Sequence, residues 1–257
     1  MGKKKRVVAI SDLHCGHRIG LTPPDYAPRN TNKWHTAQRA LWREYCRMVK
    51  AYSPVDVLLV LGDVIDGRGE KSGGTELITS DRETQCQMAA DCINMWKAPA
   101  IVMVFGTAYH TGQKEDWEIN VAGKVNADKI GGQEWVQIDN VMFDLKHFIP
   151  GSGIPHGKGT QLAKEWLWNL VWNIRDEQPK ADIFLRGHQH SFDGSFNDNY
   201  LAMTLPALQG LGSKYGTKIP AKRVDFGMVY FDVEGDKYTW DRDIVVVKAQ
   251  KPKVLQF

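Results

Sequence analysis

No apolar run in this sequence approaches the roughly 18–20 residues that cross a bilayer, so a membrane-spanning role is not expected. Cysteine is scarce: Cys15, Cys46, Cys86 and Cys92 form no C-x-x-C pair. That argues against a disulfide framework or a structural zinc site, and makes a reducing cytoplasm the expected setting. An excess of one charge is also missing. The balance is +3, from 33 basic and 30 acidic residues, too small to mark a nucleic-acid binder. One basic run, Lys3-Lys4-Lys5-Arg6, is read as a solvated lead-in to a strand rather than as a nuclear-import or nucleic-acid patch. The apolar stretch behind it, residues 7–10, is too short for a signal peptide. Nor is there a Pro/Gly/Ser-rich linker, an internal repeat or a low-complexity segment. The 257 residues, 42% of them hydrophobic, are therefore read as one α/β domain spanning 1–257.

What is present is an alternation of buried strands and helices. Residues 7–10 form a continuous apolar run that ends in a polar cluster, which predicts a strand feeding a loop. Residues 32–52 carry Trp34, Ala37, Leu41, Tyr45, Met48 and Val49 at helical spacing, and Pro54 ends the helix. Residues 56–61 read as a second strand. Gly73-Gly74 is expected to open a helix running through Trp96, and 101–105 reads as a third strand. Strand, helix, strand, helix, strand favours a parallel sheet with crossover helices. The second half predicts a strand at 141–147, a helix at 159–177, a strand at 182–185, and an antiparallel pair within 226–248 that turns at Glu234-Gly235-Asp236. Trp34, Trp42, Trp166, Trp168 and Trp172 fall on helices and are assigned to packing.

The aspartates and histidines sit where these strands end. After the first strand come Asp12 and His14, in S-D-L-H; after the second, Gly62-Asp63-Val64-Ile65-Asp66. The third leads to Gly106-Thr107-Ala108-Tyr109-His110, a later strand delivers Gly187-His188-Gln189-His190, and His147 ends the strand between. In a parallel sheet these carboxyl ends share one edge, where ligands bind. Carboxylates and imidazoles without thiolates suit Mn, Fe or Zn. D-x-H and H-x-H also make local sense, because residues two apart in an extended segment point to the same side.

D-x-H, G-D-x-x-D and G-H-x-H, in this order and each after a strand, resemble the calcineurin-like metallophosphoesterase superfamily. The motifs span Asp12 to His190, most of the chain; any one alone is weak, all three in order are specific. The resemblance implies a four-layer α/β/β/α sandwich, two mixed β-sheets packed face to face with helices outside. It also implies two divalent or trivalent transition metal ions: Asp12, His14 and His190 on the first, Asp63 bridging, His147 and His188 on the second. Asp66 is then either a ligand itself or, the better reading, a residue behind the ligands that orients one of them or closes the loop.

The sequence departs from the superfamily at its third motif, usually G-N-H followed by Asp or Glu. Here it is G-T-A-Y-H, similar to a G-T-x-x-H variant of phage-type members. Thr107 stands where Asn binds the second metal, so it is either a poor ligand or a neighbour of one. His110, displaced by two residues, is assigned the acid or electrostatic role toward the leaving group. Replacement of the missing ligand, or capping of a helix after Gly112, are its other readings. His17 and His156 are candidates for substrate contact, with a surface-loop role equally open.

Two-metal chemistry serves phosphomonoesters and phosphodiesters alike. A small phosphate ester or nucleotide is the expected substrate, with a lean to phosphodiesters because Arg18, Arg29, Arg68, Lys71 and Arg82 follow the first two motifs and can bind extra phosphate. The alternatives are a nuclease acting on DNA or RNA, which the mild charge does not favour, and a non-catalytic protein-binding module on the same fold. Residues 192–223, rich in glycine, are left open as a loop over the site or a dimer surface, and the oligomeric state is not legible.

Overall fold

The computed structural model describes residues 3–27, 33–112, 115–213, 224–247, 254 and 256. Two mixed sheets carry the fold. In the first, β1 (Lys5–Ile10), β2 (Val57–Leu61), β3 (Ala100–Val104) and β4 (Lys129–Gly131) run parallel, and β10 (Phe226–Glu234) and β11 (Lys237–Val245) extend it antiparallel beyond β1. In the second, β6 (Val141–Lys146), β7 (Ile183–Arg186) and β9 (Tyr200–Thr204) are parallel. The flanking strands β5 (Gln133–Ile138) and β8 (Asp193–Asn197) are antiparallel to their neighbours.

The period-2 alternation of side chains in these strands explains the layering. Val7, Ala9, Leu59, Leu61, Val102 and Val104 face Phe143, Leu145, Ile183, Leu185 and Met203, giving one apolar core between the sheets. The alternate residues Val8, Ile10, Leu58, Val60, Ile101 and Met103 face outward onto α1 (Lys33–Tyr52), α2 (Arg82–Asn94) and α4 (Trp117–Lys124). On the far side, Phe184 and Ala202 meet Leu162 of α5 (Lys158–Ile174). The order is helix, sheet, sheet, helix: a four-layer α/β/β/α sandwich. The predicted helix at 32–52 buries Ala37, Leu41, Tyr45, Met48 and Val49, as its spacing requires, and the Tyr45 hydroxyl donates to the Cys92 carbonyl at 2.7 Å to tie α1 to α2.

Two local expectations change. The helix expected from Gly73-Gly74 begins instead at Arg82. Both glycines are left-handed (φ 60° and 71°) in a turn, and Asp81 caps α2 by accepting from the Thr84 amide. Trp168 is not packing: it is 57% exposed and stacks on Trp172 on the outer face of α5, whereas Trp166 lies against Tyr200 with ring centroids 4.5 Å apart. Within 192–223, the described part holds the β8–β9 hairpin on the edge of the second sheet; residues 214–223 lie outside the described residues. No helix among the described residues is long and apolar enough to cross a membrane.

Candidate metal centre

The carboxyl ends of β1, β2 and β3 point to one edge of the first sheet, and those of β6 and β7 to the adjoining edge of the second. Hydrogen bonds stitch the two edges together. His147 Nδ1 donates to the Leu61 carbonyl at 2.6 Å, and the His188 amide donates to Asp12 Oδ2 at 3.1 Å. Two glycines permit this approach: a Cβ on Gly106 would run into the Asp63 carboxylate, and one on Gly187 into Ser11, His147 and the Leu61 carbonyl.

The loop conformation differs from the extended one that the D-x-H and H-x-H argument assumed. Asp12, His14, Asp63, His188 and His190 all adopt left-handed backbone, with φ between 46° and 68°. Paired side chains converge because the chain turns at each of them, not through the pleat of a strand. Such conformations cost of order 1–3 kcal/mol each and cluster at functional sites.

Three donor groups result, each with its ligand atoms within 4.8 Å of one another: Asp12, His14 and His190; His14, Asp63 and His110; Asp63, His147 and His188. His14 and Asp63 are each shared by two groups. His190 Nε2 lies 3.0 Å from Asp12 Oδ1, and His147 Nε2 3.1 Å from Asp63 Oδ2. The donor chemistry fits a transition metal. Two imidazole nitrogens, Nε2 of His14 and of His190, face each other at 3.2 Å. Asp12 Oδ1 and His147 Nε2 are buried without a hydrogen-bond partner: their ion-pair distances are short, but their angles are not those of a hydrogen bond. Buried lone pairs left this way are costly unless a cation takes them.

Neighbours fix the ring orientations. Asp66 Oδ1 accepts from His14 Nδ1 at 3.0 Å, and the Asp66 carbonyl accepts from His110 Nδ1 at 3.0 Å, with Oδ1 3.4 Å away. With Nδ1 engaged, Nε2 is the nitrogen each of these histidines offers to the cluster. Thr107 is bound to the shared carboxylate. Its amide and hydroxyl donate to Asp63 Oδ1 at 2.7 and 3.1 Å.

Electrostatics follow the same pairing. Burial alone would push the His14 imidazole down, but the nearby Asp12 carboxylate, the hydrogen bond to Asp66 and the Asp63 charge raise it to about 10. Burial is likewise outweighed at His147, which Asp63 and Asp12 raise to about 10. Asp12, Asp63 and Asp66 are held below the ordinary carboxylate range against the upward push of burial, by the histidines around them. Carboxylates packed this closely around His14 and His147 favour positive charge on or between them, whether from protons or from metal.

Other candidates lie apart. His17 is no surface-loop residue: it is 6% exposed, accepts from the Ile19 amide at Nδ1, and places Nε2 3.8 Å from Glu76. His156 is exposed in the single turn Pro155–Gly157 before α5 and joins no donor group. His110 sits in the short helix α3 (Ala108–Thr111), not at the start of a helix after Gly112. A cavity of about 260 Å³ opens beside it, lined by Gly67, Arg68, Arg82, Tyr109 and Glu115 among others. Arg82 is already engaged there, 2.9 Å from Glu115 and over the Trp117 ring. Arg18 is half-buried, and Arg29 and the Lys71 side chain lie outside the described residues.

Glu118 was not singled out by the sequence. It is 0% exposed, and its two carboxylate oxygens accept from the Val64 and Gly106 amides at 2.8 and 2.7 Å. Burial and then the Asp63 charge raise it to about 7, against the two amides. Its only sequence signal was an acidic residue on the apolar face of a helical stretch with Val121, Ala122 and Val125.

No family model matches the chain, and no curated protein does. Among solved structures it is similar to a novel archaeal phosphodiesterase (12% identity, 93% of this chain and 99% of that one, TM-score 0.49). It is also similar to Vps29 of Entamoeba histolytica in complex with zinc (12% identity, 93% and 98%, TM-score 0.47). A third is a predicted phosphoesterase of Streptococcus pneumoniae (12% identity, 94% and 90%, TM-score 0.42). Overlap this loose assigns neither activity nor partner. The layering found in this chain is the one that the resemblance to the calcineurin-like metallophosphoesterase superfamily implies.

Proposed function

We propose that this chain is a metal-dependent phosphoesterase that hydrolyses a small phosphodiester or phosphomonoester of nucleotide type. One observation carries the reading: the three donor groups form a chain of shared ligands, His14 joining Asp12 and His190 to Asp63, and Asp63 joining His14 to His147 and His188, so adjacent cations can be held with Asp63 between them. Asp12, His14 and His190 would hold the first ion, His147 and His188 the second, and Asp63 both. Two bound ions of the Mn, Fe or Zn kind would supply a water of lowered pKa and positive charge for the phosphoryl oxygens.

The chain's own residues do the rest. Thr107 pins the shared carboxylate from one side. Asp66 holds His14 and His110 in one orientation, which leaves His110 facing the cluster at the mouth of the adjoining cavity. There it can donate a proton or a hydrogen bond to a departing oxygen. Arg68 and the Tyr109 ring line the same cavity and suit the remainder of a nucleotide, a charged group and a flat one. A cavity of about 260 Å³ favours a small molecule over a nucleic-acid track.

Elemental analysis with Mn-dependent hydrolysis of bis(p-nitrophenyl) phosphate and p-nitrophenyl phosphate tests the reading. About two metals per chain with turnover supports it, and the faster ester ranks diesterase against monoesterase. One metal or none, with neither ester cleaved, sinks it in favour of a binding module.

A further inference from the structure

We propose that Glu118 is a positioning residue for the metal centre, fixing the Asp63 loop against the Thr107–His110 loop. This rests on the phosphoesterase reading for its kinetic consequences and on geometry alone for its place. Val64 immediately follows Asp63, and Gly106 immediately precedes Thr107. Both amides lie beyond the ends of their strands, β2 and β3, where no ladder partner takes them. One Glu118 oxygen accepts from each. Thr107 then closes the circuit by donating its own amide to Asp63 at 2.7 Å. Two loops are thus clamped at two points, once by Glu118 and once by Asp63 itself.

Only a carboxylate of this length does this. Ionised, it offers two acceptor atoms and no donor, matching two N–H groups that would otherwise be buried without partners. Glutamine keeps the shape but turns an NH₂ against one of the amides. Aspartate is one methylene too short to reach both from the same helix. The helix is itself anchored: the Cys86 thiol of α2 contacts the Trp117 carbonyl at 3.5 Å, and Val121 and Ala122 are buried against the core. Glu118 touches neither the cavity beside His110 nor any proposed ligand side chain, so its effect reaches the site through the two backbones.

The test compares Glu118→Gln and Glu118→Asp with the wild type in three measurements: melting temperature, Mn²⁺ affinity by titration, and hydrolysis of aryl phosphate esters with leaving groups of graded pKa. Neighbours one step removed from a metal commonly change affinity or activity by about 10–100-fold. Glu118→Gln is expected to fold, to bind Mn²⁺ roughly tenfold more weakly, and at saturating Mn²⁺ to lose kcat with little change in KM. The loss should grow with leaving-group pKa, because a misplaced His110 matters most where the departing oxygen needs a proton. Glu118→Asp should behave like Glu118→Gln, since both keep only one of the two bonds. Wild-type affinity and rates in both variants overturn the proposal. So does a loss equal for every leaving group that simply tracks the folded fraction. If the wild type binds two metals but cleaves no ester, the phosphoesterase reading falls. The Mn²⁺ affinities then decide alone: weaker binding in both variants upholds the positioning role, and equal binding ends it.

Discussion

Thr107 reaches the Asp63 carboxylate twice, through its amide at 2.7 Å and its hydroxyl at 3.1 Å. The hydroxyl spends its one proton on the shared carboxylate, so where G-N-H has an amide this chain has a contact that positions Asp63. Thr107→Val keeps the amide bond and the side-chain shape but removes the hydroxyl. It is expected to retain both metals and to lose roughly threefold to tenfold in kcat, the size of one hydrogen bond of about 0.5–1.5 kcal/mol. Asp63→Ala, by contrast, should remove metal and turnover together. Elemental analysis of both variants checks the pair, and loss of one metal in Thr107→Val would make Thr107 a ligand after all.

His110 and Asp66 separate two roles that lie close together. His110 touches the cluster from the cavity side, while Asp66 holds both His110 and His14. His110→Ala is expected to keep two metals and lose about 10²–10⁴-fold in kcat, the usual worth of a positioned acid. Asp66→Asn should instead weaken metal binding about 10–100-fold, because His14 loses its orienting carboxylate. A His110→Ala protein that binds one metal fewer would assign His110 to the His14–Asp63 donor group.

Much of this was legible in the chain. Apolar runs of 4–5 residues named β1, β2 and β3, and shorter ones named β6 (V-M-F-D-L-K) and β7 (I-F-L-R), and each of the five leads at its carboxyl end into a loop with Asp or His, as a parallel sheet requires. Strands with polar sequence were not legible: β8 reads D-G-S-F-N and gains its place only by pairing with β9. Left-handed backbone at Asp12, His14, His188 and His190 was hidden too, since nothing in D-x-H distinguishes a turn from a strand. Glu118 was missed because its partners are backbone amides, which leave no mark on sequence.

Arg186, 0% exposed one residue before Gly187, sets the stability of the second sheet's edge. It donates to Glu165 at 2.8 and 3.0 Å and lies 3.2 Å from Asp144 Oδ2. Burial would raise the Glu165 carboxyl, but Arg186 and Lys146 hold it below its ordinary value. Arg186→Leu leaves two carboxylates without their buried partner and should cost about 3–5 kcal/mol. For a chain of this size that is roughly 6–20 °C in melting temperature. A melt within about 2 °C of the wild type would show that the carboxylates find water instead.

Protons and metals compete for the same nitrogens, and this gives the metal-free protein a pH signature. His14 and His147, held among Asp12, Asp63 and Asp66 with His188 and His190 alongside, have folded values raised from 6.5 to about 10. A proton kept by the folded state after the unfolded chain has released it favours folding. That contribution is complete below about pH 6.5, shrinks as pH rises, and is gone above about pH 10. The chelator-treated protein should therefore melt at progressively lower temperature across that window. The metal-loaded protein, whose histidines carry no such protons, should be much flatter there. Metal uptake near neutral pH should also release protons, so affinity rises with pH. Melting curves with and without chelator, and calorimetry of Mn²⁺ binding in buffers of different ionisation enthalpy, measure both effects. A chelated protein whose melting temperature is level from pH 6.5 to 10, with no proton released on Mn²⁺ binding, would mean that these imidazoles are already neutral in the folded chain.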